Sequence, residues 1–212
     1  MAAAQKPTSD ILLQLARSRR TIYPLTKHLP VPASRLRTLV QETTLHTPSS
    51  FNSQTTRAVL LLGSAHDRLW ALTTETLRGV VPADKWPASE KRLAGFAAGA
   101  GTVLFFVDDE AVNKMQEKLP TYADRFPAWA EQSAGMQQWL LWTALEAEGL
   151  GANLQHYNPL IDAKVAEEWS LPRLWRLNAQ LVFGGRVEGA ELAEKQFQPV
   201  EERVKVFGEE KA

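Results

Sequence analysis

The chain has 212 residues, 44% of them hydrophobic and 23% charged, a composition suited to a folded globule and unlike a disordered or fibrous chain. Lys+Arg and Asp+Glu both number 24, so no basic footprint for nucleic acid or an anionic membrane is expected. With no cysteine, disulfides, thiolate nucleophiles and Cys-ligated zinc or iron–sulfur clusters are excluded, and redox chemistry would have to come from a cofactor.

One domain is expected over residues 1–212, with residues 1–8 flexible. Met1 to Pro7 lacks the basic and apolar runs of a secretory signal, which makes a cytoplasmic, and also a nuclear, location the expectation. No apolar run approaches the ~20 residues needed to span a bilayer. In chain order, Asp10 to Arg19 reads as a short amphipathic helix carrying Ile11, Leu12 and Leu15, capped by Ser9 or Asp10. Pro32 to Thr44 reads as a second, with Leu36, Leu39 and Val40 as its buried stripe. Ala58 to Leu62 and Thr102 to Val107 are continuous apolar runs, expected as strands buried on both faces. Ala128 to Glu148 is the longest helical pattern, with Met136, Leu140, Ala144 and Ala147 on one face and Ala134, Leu141 and Leu145 on the next. So wide an apolar arc suits either a dimer interface or a helix wrapped by its own chain. Gly149 should end it in a left-handed cap. Leu177 to Phe183 is expected as a third strand, and Gln196 to Lys205 as a late strand or extended arm. Most of the seven tryptophans are expected in the core.

Several chemistries drop out. Gly99-Ala100-Gly101 and Gly149-Leu150-Gly151 lack the third glycine of a dinucleotide fingerprint, and neither follows a strand to open a helix, so both read as turns. His28, His46, His66 and His156 stand alone, without a second ligand at helical spacing, and no metal is expected. No Gly-x-Ser-x-Gly elbow is present.

Three polar segments remain. Arg17 to Tyr23 sets guanidinium forks and hydroxyls directly after a helix, a group of donors matched to phosphate oxygens. Thr47 to Gln54 concentrates hydroxyl and amide groups suited to the polar edge of a flavin or nucleobase. Gly149 to Pro159 pairs small residues, which allow close backbone approach to a flat ring, with polar groups just beyond.

Taken together and in this order, Arg19-Arg20-Thr21-Ile22-Tyr23, the Pro48-Ser49-Ser50-x-Asn52-x-Gln54 loop, Gln155-His156-Tyr157-Asn158-Pro159 and the closing Pro199 to Gly208 resemble the nitroreductase family, more narrowly its fungal branch. The resemblance runs over roughly Asp10 to Gly208. It implies an α+β fold, an α/β sandwich around a central, largely antiparallel sheet flanked by helices, paired as a homodimer with one FMN in each of two interface clefts. It also implies which residues hold FMN: Arg19, Arg20, Thr21 and Tyr23 on the phosphate and ribityl side, with Arg203 and Lys205 reinforcing them from the C-terminal arm. Ser49, Ser50 and Asn52 would come from the other subunit, with Gln54 nearby, and Leu154, Gln155 and His156 would lie along the ring. No catalytic side chain is implied, because the flavin carries the chemistry. The implied activity is ping-pong electron transfer from NADH or NADPH to nitroaromatics, quinones or similar flat acceptors; the alternative is a flavin-binding redox or stress-regulatory homodimer with little turnover. Tyr23 stands where many relatives carry a fourth basic residue, and Thr21 stands for serine. The chain is short for the family and shows no long insertion for a substrate lid.

Overall fold

The structure is a computed structural model, described for residues 8–208; the segment expected to be flexible lies outside them except for Thr8. Helix α1 spans Ser9–Ser18, strand β1 Leu25–Thr26 and helix α2 Ala33–His46. After a 3-10 turn at Ser50–Asn52 come β2 (Thr56–Leu62), α3 (Ser64–Arg78), α4 (Trp86–Ala97), β3 (Gly101–Asp108) and α5 (Asp109–Lys118). A second 3-10 turn, Pro120–Arg125, leads into α6 (Phe126–Ala147), followed by β4 (Gly151–Gln155), α7 (Asp162–Glu168), β5 (Trp175–Arg186) and the short α8 (Val200–Arg203).

All strand pairs are antiparallel. Strand β5 is central: β3 lies on one side of it, with β2 beyond, while β4 and the short β1 share its other side. Alternation along β3 explains the layering, because successive side chains of a strand leave opposite faces. Val103 and Phe105 pack with Leu36 and Leu39 of α2 and Leu141 and Leu145 of α6. Leu104 and Phe106 pack on the opposite face with Leu69 and Trp70 of α3, Leu93 and Phe96 of α4 and Val165 of α7. A smaller cluster, Val107, Val112, Phe126, Ala130 and Ala134, closes the sheet end under α5 and the start of α6. Helices thus cover both faces of an antiparallel sheet, as the expected sandwich requires.

Several local expectations are refined. Strand β3 is buried throughout, but β2 is half-buried along most of its length because it forms the sheet edge. On α6 the Ala134, Leu141 and Leu145 face meets the core, whereas Met136, Trp139 and Ala147 are exposed, so the wide apolar arc is only partly covered by its own chain. Of the tryptophans, Trp70 alone is fully buried; most others are half-buried, since so large a ring reaches the edge of a small core. Both glycine pieces are turns, at Gly99 and Gly149, that run directly into strands starting at Gly101 and Gly151. A Cβ on Gly151 would stand 2.9 Å from side-chain atoms of Ile22 and Leu25, so only glycine lets β4 approach the segment after α1 this closely. Gly149 does adopt the left-handed cap, at φ +79°, with Leu150 N–H donating to the Leu145 carbonyl at 3.0 Å. Of the two alternatives for Gln196 to Lys205, no strand forms; the segment is an exposed arm carrying α8.

Candidate cofactor site

Close packing at Gly151 brings two of the three polar segments together. The Ile22 N–H donates to the Ala152 carbonyl at 2.9 Å, and the buried Asn153 amide returns a bond to the Ile22 carbonyl, also at 2.9 Å. This strap holds Arg19 to Tyr23 beside the outgoing end of β4. Gln155 is oriented in turn, its Nε2 donating to Asn153 Oδ1 at 2.9 Å. Leu154 is half-buried next to it and His156 is exposed.

Around Arg19 the charges are unbalanced. Its guanidinium lies 4.3 Å from the centre of the Trp142 ring of α6, and its Nε is buried without a hydrogen-bond partner. Burial holds the Arg19 pKa below its ordinary value, Glu146 opposes that shift, and Arg20 adds to it. Arg20 donates to the Ala193 carbonyl and Lys195 to that of Arg17, so the chain after β5 folds back on the end of α1. Lys195 too is held below the usual ammonium range, chiefly by desolvation and then by Arg19 and Arg20. Three cations and one carboxylate, Glu191, therefore line a cavity of about 410 Å³ that Thr21 and Tyr23 also line, leaving an excess of positive charge. Such a wall suits an anion, and guanidinium forks match the oxygens of phosphate as well as those of carboxylate.

Tyr23 also lines a second, larger cavity of about 710 Å³, which continues past Gln155 to Lys91, Arg92, Gly95 and Phe96 of α4. Phe96 is buried against Trp70 and Tyr157, giving this chamber an aromatic floor. Burial raises the Tyr157 phenol pKa, and the field of Arg92 opposes it. The cationic cavity and a chamber roomy enough for a flat ring thus share Tyr23 as a common wall residue. Sequence reasoning missed Lys91, Arg92 and Lys195. Only Leu93 and Phe96 of α4 are buried, too few to mark a periodic face, and Lys195 sits in a segment without regular structure.

The remaining residues lie elsewhere in the protomer. Ser49, Ser50, Asn52 and Gln54 form a tight loop in which Ser49 Oγ accepts the Gln54 N–H at 2.9 Å. Phe51 anchors this loop against Trp129, with ring centres 5.9 Å apart. Trp129 and Trp142 are both on α6, and at 1.5 Å per residue they are about 20 Å apart along its axis. The hydroxyl loop and the Arg19 cluster therefore sit towards opposite ends of one helix and share neither cavity. Arg203 and Lys205 do not line the cavity at Arg19. Lys205 donates to the Glu201 carbonyl at 2.6 Å, and Arg203 has no hydrogen bond or ion pair among the described residues. The basic side chain of the C-terminal region that does reach the first motif is Lys195.

No cluster of His, Asp or Glu suited to a metal occurs among the described residues. None of their helices is long and apolar enough to cross a membrane.

With this geometry in view, the comparisons with known proteins are consistent. The nitroreductase family profile matches residues 16–185. Two Saccharomyces cerevisiae relatives named as nitroreductases, HBN1 and FRM2, are 39% and 37% identical, over 81% and 84% of this chain and 86% and 89% of their own lengths. Nitroreductase CinD from Lactococcus lactis, solved with chloramphenicol and with 4-nitrophenol, superposes at a TM-score of 0.84 in both. In the chloramphenicol complex it is 40% identical, covering 93% of this chain and all of CinD. A more distant nitroreductase-like structure from Desulfovibrio desulfuricans, at 18% identity and a TM-score of 0.62, matches 95% of this chain and 96% of its own and was solved with FMN. The chain belongs to the nitroreductase family, and its fold is that of its relatives.

Proposed function

We propose that the protein is an FMN-dependent oxidoreductase that takes electrons from NADH or NADPH, passes them to nitroaromatics, quinones or similar flat acceptors, and works as a homodimer. The observation that carries this reading is that the cavity at Arg19, Arg20 and Lys195 and the chamber at Gln155 share Tyr23 in their walls, which sets a site suited to phosphate beside one with room for a ring. The unpartnered Arg19 Nε and the depressed pKa values of Arg19 and Lys195 fit a missing anion. The FMN in the Desulfovibrio fold neighbour and the nitro compounds bound by CinD support the same choice of cofactor and acceptor.

FMN, when bound, supplies two-electron exchange between a donor and an acceptor. The chain's own residues bind and orient. Arg19, Arg20 and Lys195 hold the phosphate, with Thr21 and Tyr23 along the ribityl chain and Leu154, Gln155 and His156 at the ring. Lys91 and Arg92 direct positive field into the ring chamber and so favour the electron-rich state of a ring seated there. One open cleft serves donor and acceptor in turn, which makes the kinetics ping-pong.

The same geometry supports a homodimer. Ser49, Ser50, Asn52 and Gln54 line neither cavity of their own protomer, and a twofold axis beside α6 would bring this loop of a second copy towards the ring chamber. The exposed Met136 and Trp139 supply an apolar surface for that contact, and the exposed Val204, Val206 and Phe207 could carry Arg203 and Lys205 to the other subunit's phosphate. Steady-state NADH and NADPH oxidation with a nitroaromatic or a quinone tests the activity. A flavin that stays oxidised under excess of both donors would refute it and favour a regulatory flavoprotein.

A further inference from the structure

We propose that Arg186 is a positioning residue for the flavin phosphate: it holds the Glu146 carboxylate and so keeps the Arg19 guanidinium open to the anion. The proposal rests on the flavin reading above. Helical spacing is where the problem arises. Trp142 and Glu146 stand four positions apart on α6, so they share one face, with Cβ atoms about 5 to 6 Å from each other. Side chains of a helix lean towards its N-terminus, which carries the Glu146 carboxylate back towards Trp142. The Arg19 guanidinium lies 4.3 Å from the centre of that same ring. A carboxylate so placed is an obvious partner for it, yet Arg19 forms no ion pair among the described residues, and its Nε is buried without a hydrogen bond.

Arg186, the last residue of β5, takes the carboxylate instead. Its Nη2 donates to Glu146 Oε2 and, at 3.3 Å, to the Leu150 carbonyl just beyond the end of α6. The second bond ties this guanidinium to the main chain beside Glu146, so its place does not depend on Arg19. The Glu146 side chain is only 9% exposed, and water cannot stand in for Arg186. Glu146 nonetheless remains close enough to act on the cavity, because its field opposes the fall in the pKa values of both Arg19 and Lys195. Glu148, one turn-end residue further on, is held in the same manner by Arg35 at 2.8 and 2.6 Å, but it is not among the charges that act on Arg19.

The consequence is a division of labour between two arginines. Without Arg186, a nearly buried carboxylate would lose its cation, a costly state that the nearest guanidinium relieves. Arg19 would then turn from the cavity to Glu146, and a phosphate there would lose one charge-assisted fork. A flavin without phosphate would lose nothing.

Riboflavin, which has the ring and ribityl chain of FMN but no phosphate, therefore provides the control. Purified apoprotein is titrated with FMN and with riboflavin, followed by flavin fluorescence, for wild type, Arg186→Ala, Glu146→Gln, the double variant and Arg35→Ala. The preference for FMN over riboflavin should fall at least about tenfold in Arg186→Ala, with riboflavin affinity unchanged. It should return to within about threefold of wild type in the double variant, where Arg19 has no carboxylate to turn to, and stay at the wild-type value in Arg35→Ala. A wild-type preference in Arg186→Ala overturns the proposal. So does a double variant as impaired as Arg186→Ala, because Arg186 would then touch the phosphate itself or merely hold the shape of the site. If Arg186→Ala does not fold, Glu146→Gln alone carries the test: an undiminished preference for FMN supports the proposal, and a diminished one overturns it by showing that Glu146 orients Arg19. Failure of the flavin reading looks different: wild-type protein that binds neither flavin, or both alike.

Discussion

Replacing Arg19 by alanine removes one guanidinium from a trio that, without an anion, repel one another. If Arg19 makes a charge-assisted bond to the FMN phosphate, its loss costs about 1.5 to 3 kcal/mol of binding, or roughly 10- to 150-fold in Kd. The apoprotein should respond in the opposite sense. Arg19 has a buried, unpartnered Nε and a pKa depressed first by desolvation and only partly restored by Glu146, so removing it relieves a desolvated charge and spares Arg20 and Lys195 its field. Stacking on Trp142 opposes that gain only modestly, because such contacts contribute ~0.5 to 2 kcal/mol. The expected signature is therefore a split: FMN affinity falls by one to two orders of magnitude while the apoprotein's melting temperature does not drop. Arg19→Lys keeps the charge but loses the planar fork, and should fall between wild type and Arg19→Ala. Titrating apoprotein with FMN and following flavin fluorescence gives the affinities, and thermal melts of the same preparations give the stabilities. Unchanged FMN affinity in Arg19→Ala would refute the phosphate assignment, and a large loss of apoprotein stability would show that Arg19 is structural.

Two further perturbations test the scaffold. His66 is fully buried in α3, with Nδ1 2.9 Å from Thr102 Oγ1 and Nε2 3.3 Å from the Ala97 carbonyl, while Trp70 Nε1–H donates to the same threonine oxygen at 3.1 Å. That arrangement is complete with a neutral imidazole, and burial, with Lys27 adding, lowers its pKa to about 4. Between that value and the ordinary 6.5 the unfolded chain binds a proton that the native state does not, so stability declines as pH falls through this window, by about 2 kcal/mol at pH 5 relative to pH 8. Urea midpoints measured from pH 8 to pH 5 should show this decline, and a His66→Gln variant should flatten it; equal slopes in both would place the titration elsewhere. Gly151→Ala would push a methyl group against Ile22 and Leu25 and should destabilise the protein by about 1 to 3 kcal/mol. It should also weaken FMN binding by disturbing the strap that carries Arg19 to Tyr23, so a variant with wild-type melting and FMN affinity would contradict the role given to that strap.

How far the fold could be read in advance depended on the strength of local patterns. Helices α2 and α6 and the strands around Ala58, Thr102 and Leu177 stood out because their apolar residues repeat at the spacing of the element or run without interruption. Helix α3 did not, since its buried face includes His66 and Thr73, polar residues that are satisfied only through tertiary partners or its own backbone. Strand β4, Gly-Ala-Asn-Leu-Gln, has no β-branched residue and looks like a turn; it becomes a strand by pairing with β5 and packing on Ile22.

The candidate site divides along the same line. Arg19 to Tyr23 and Leu154 to His156 were marked by composition, and the Asn153 to Ile22 bond unites them. Lys91, Arg92 and Lys195 were not marked, because their place at the cavities depends on how α4 and the chain after β5 fold back, which no local pattern encodes. The contact of Lys195 with the end of α1 is of this kind. The separation of the Ser49 to Gln54 loop from Arg19 along α6 is, by contrast, what the resemblance implied when it assigned Ser49, Ser50 and Asn52 to the other subunit.

The visible absorption spectrum of the purified protein, recorded before and after adding NADH or NADPH, tests the central claim most directly. Oxidised-flavin bands that bleach on adding the donor and return with a nitroaromatic acceptor are the predicted result. A colourless protein that stays colourless after incubation with FMN would contradict it.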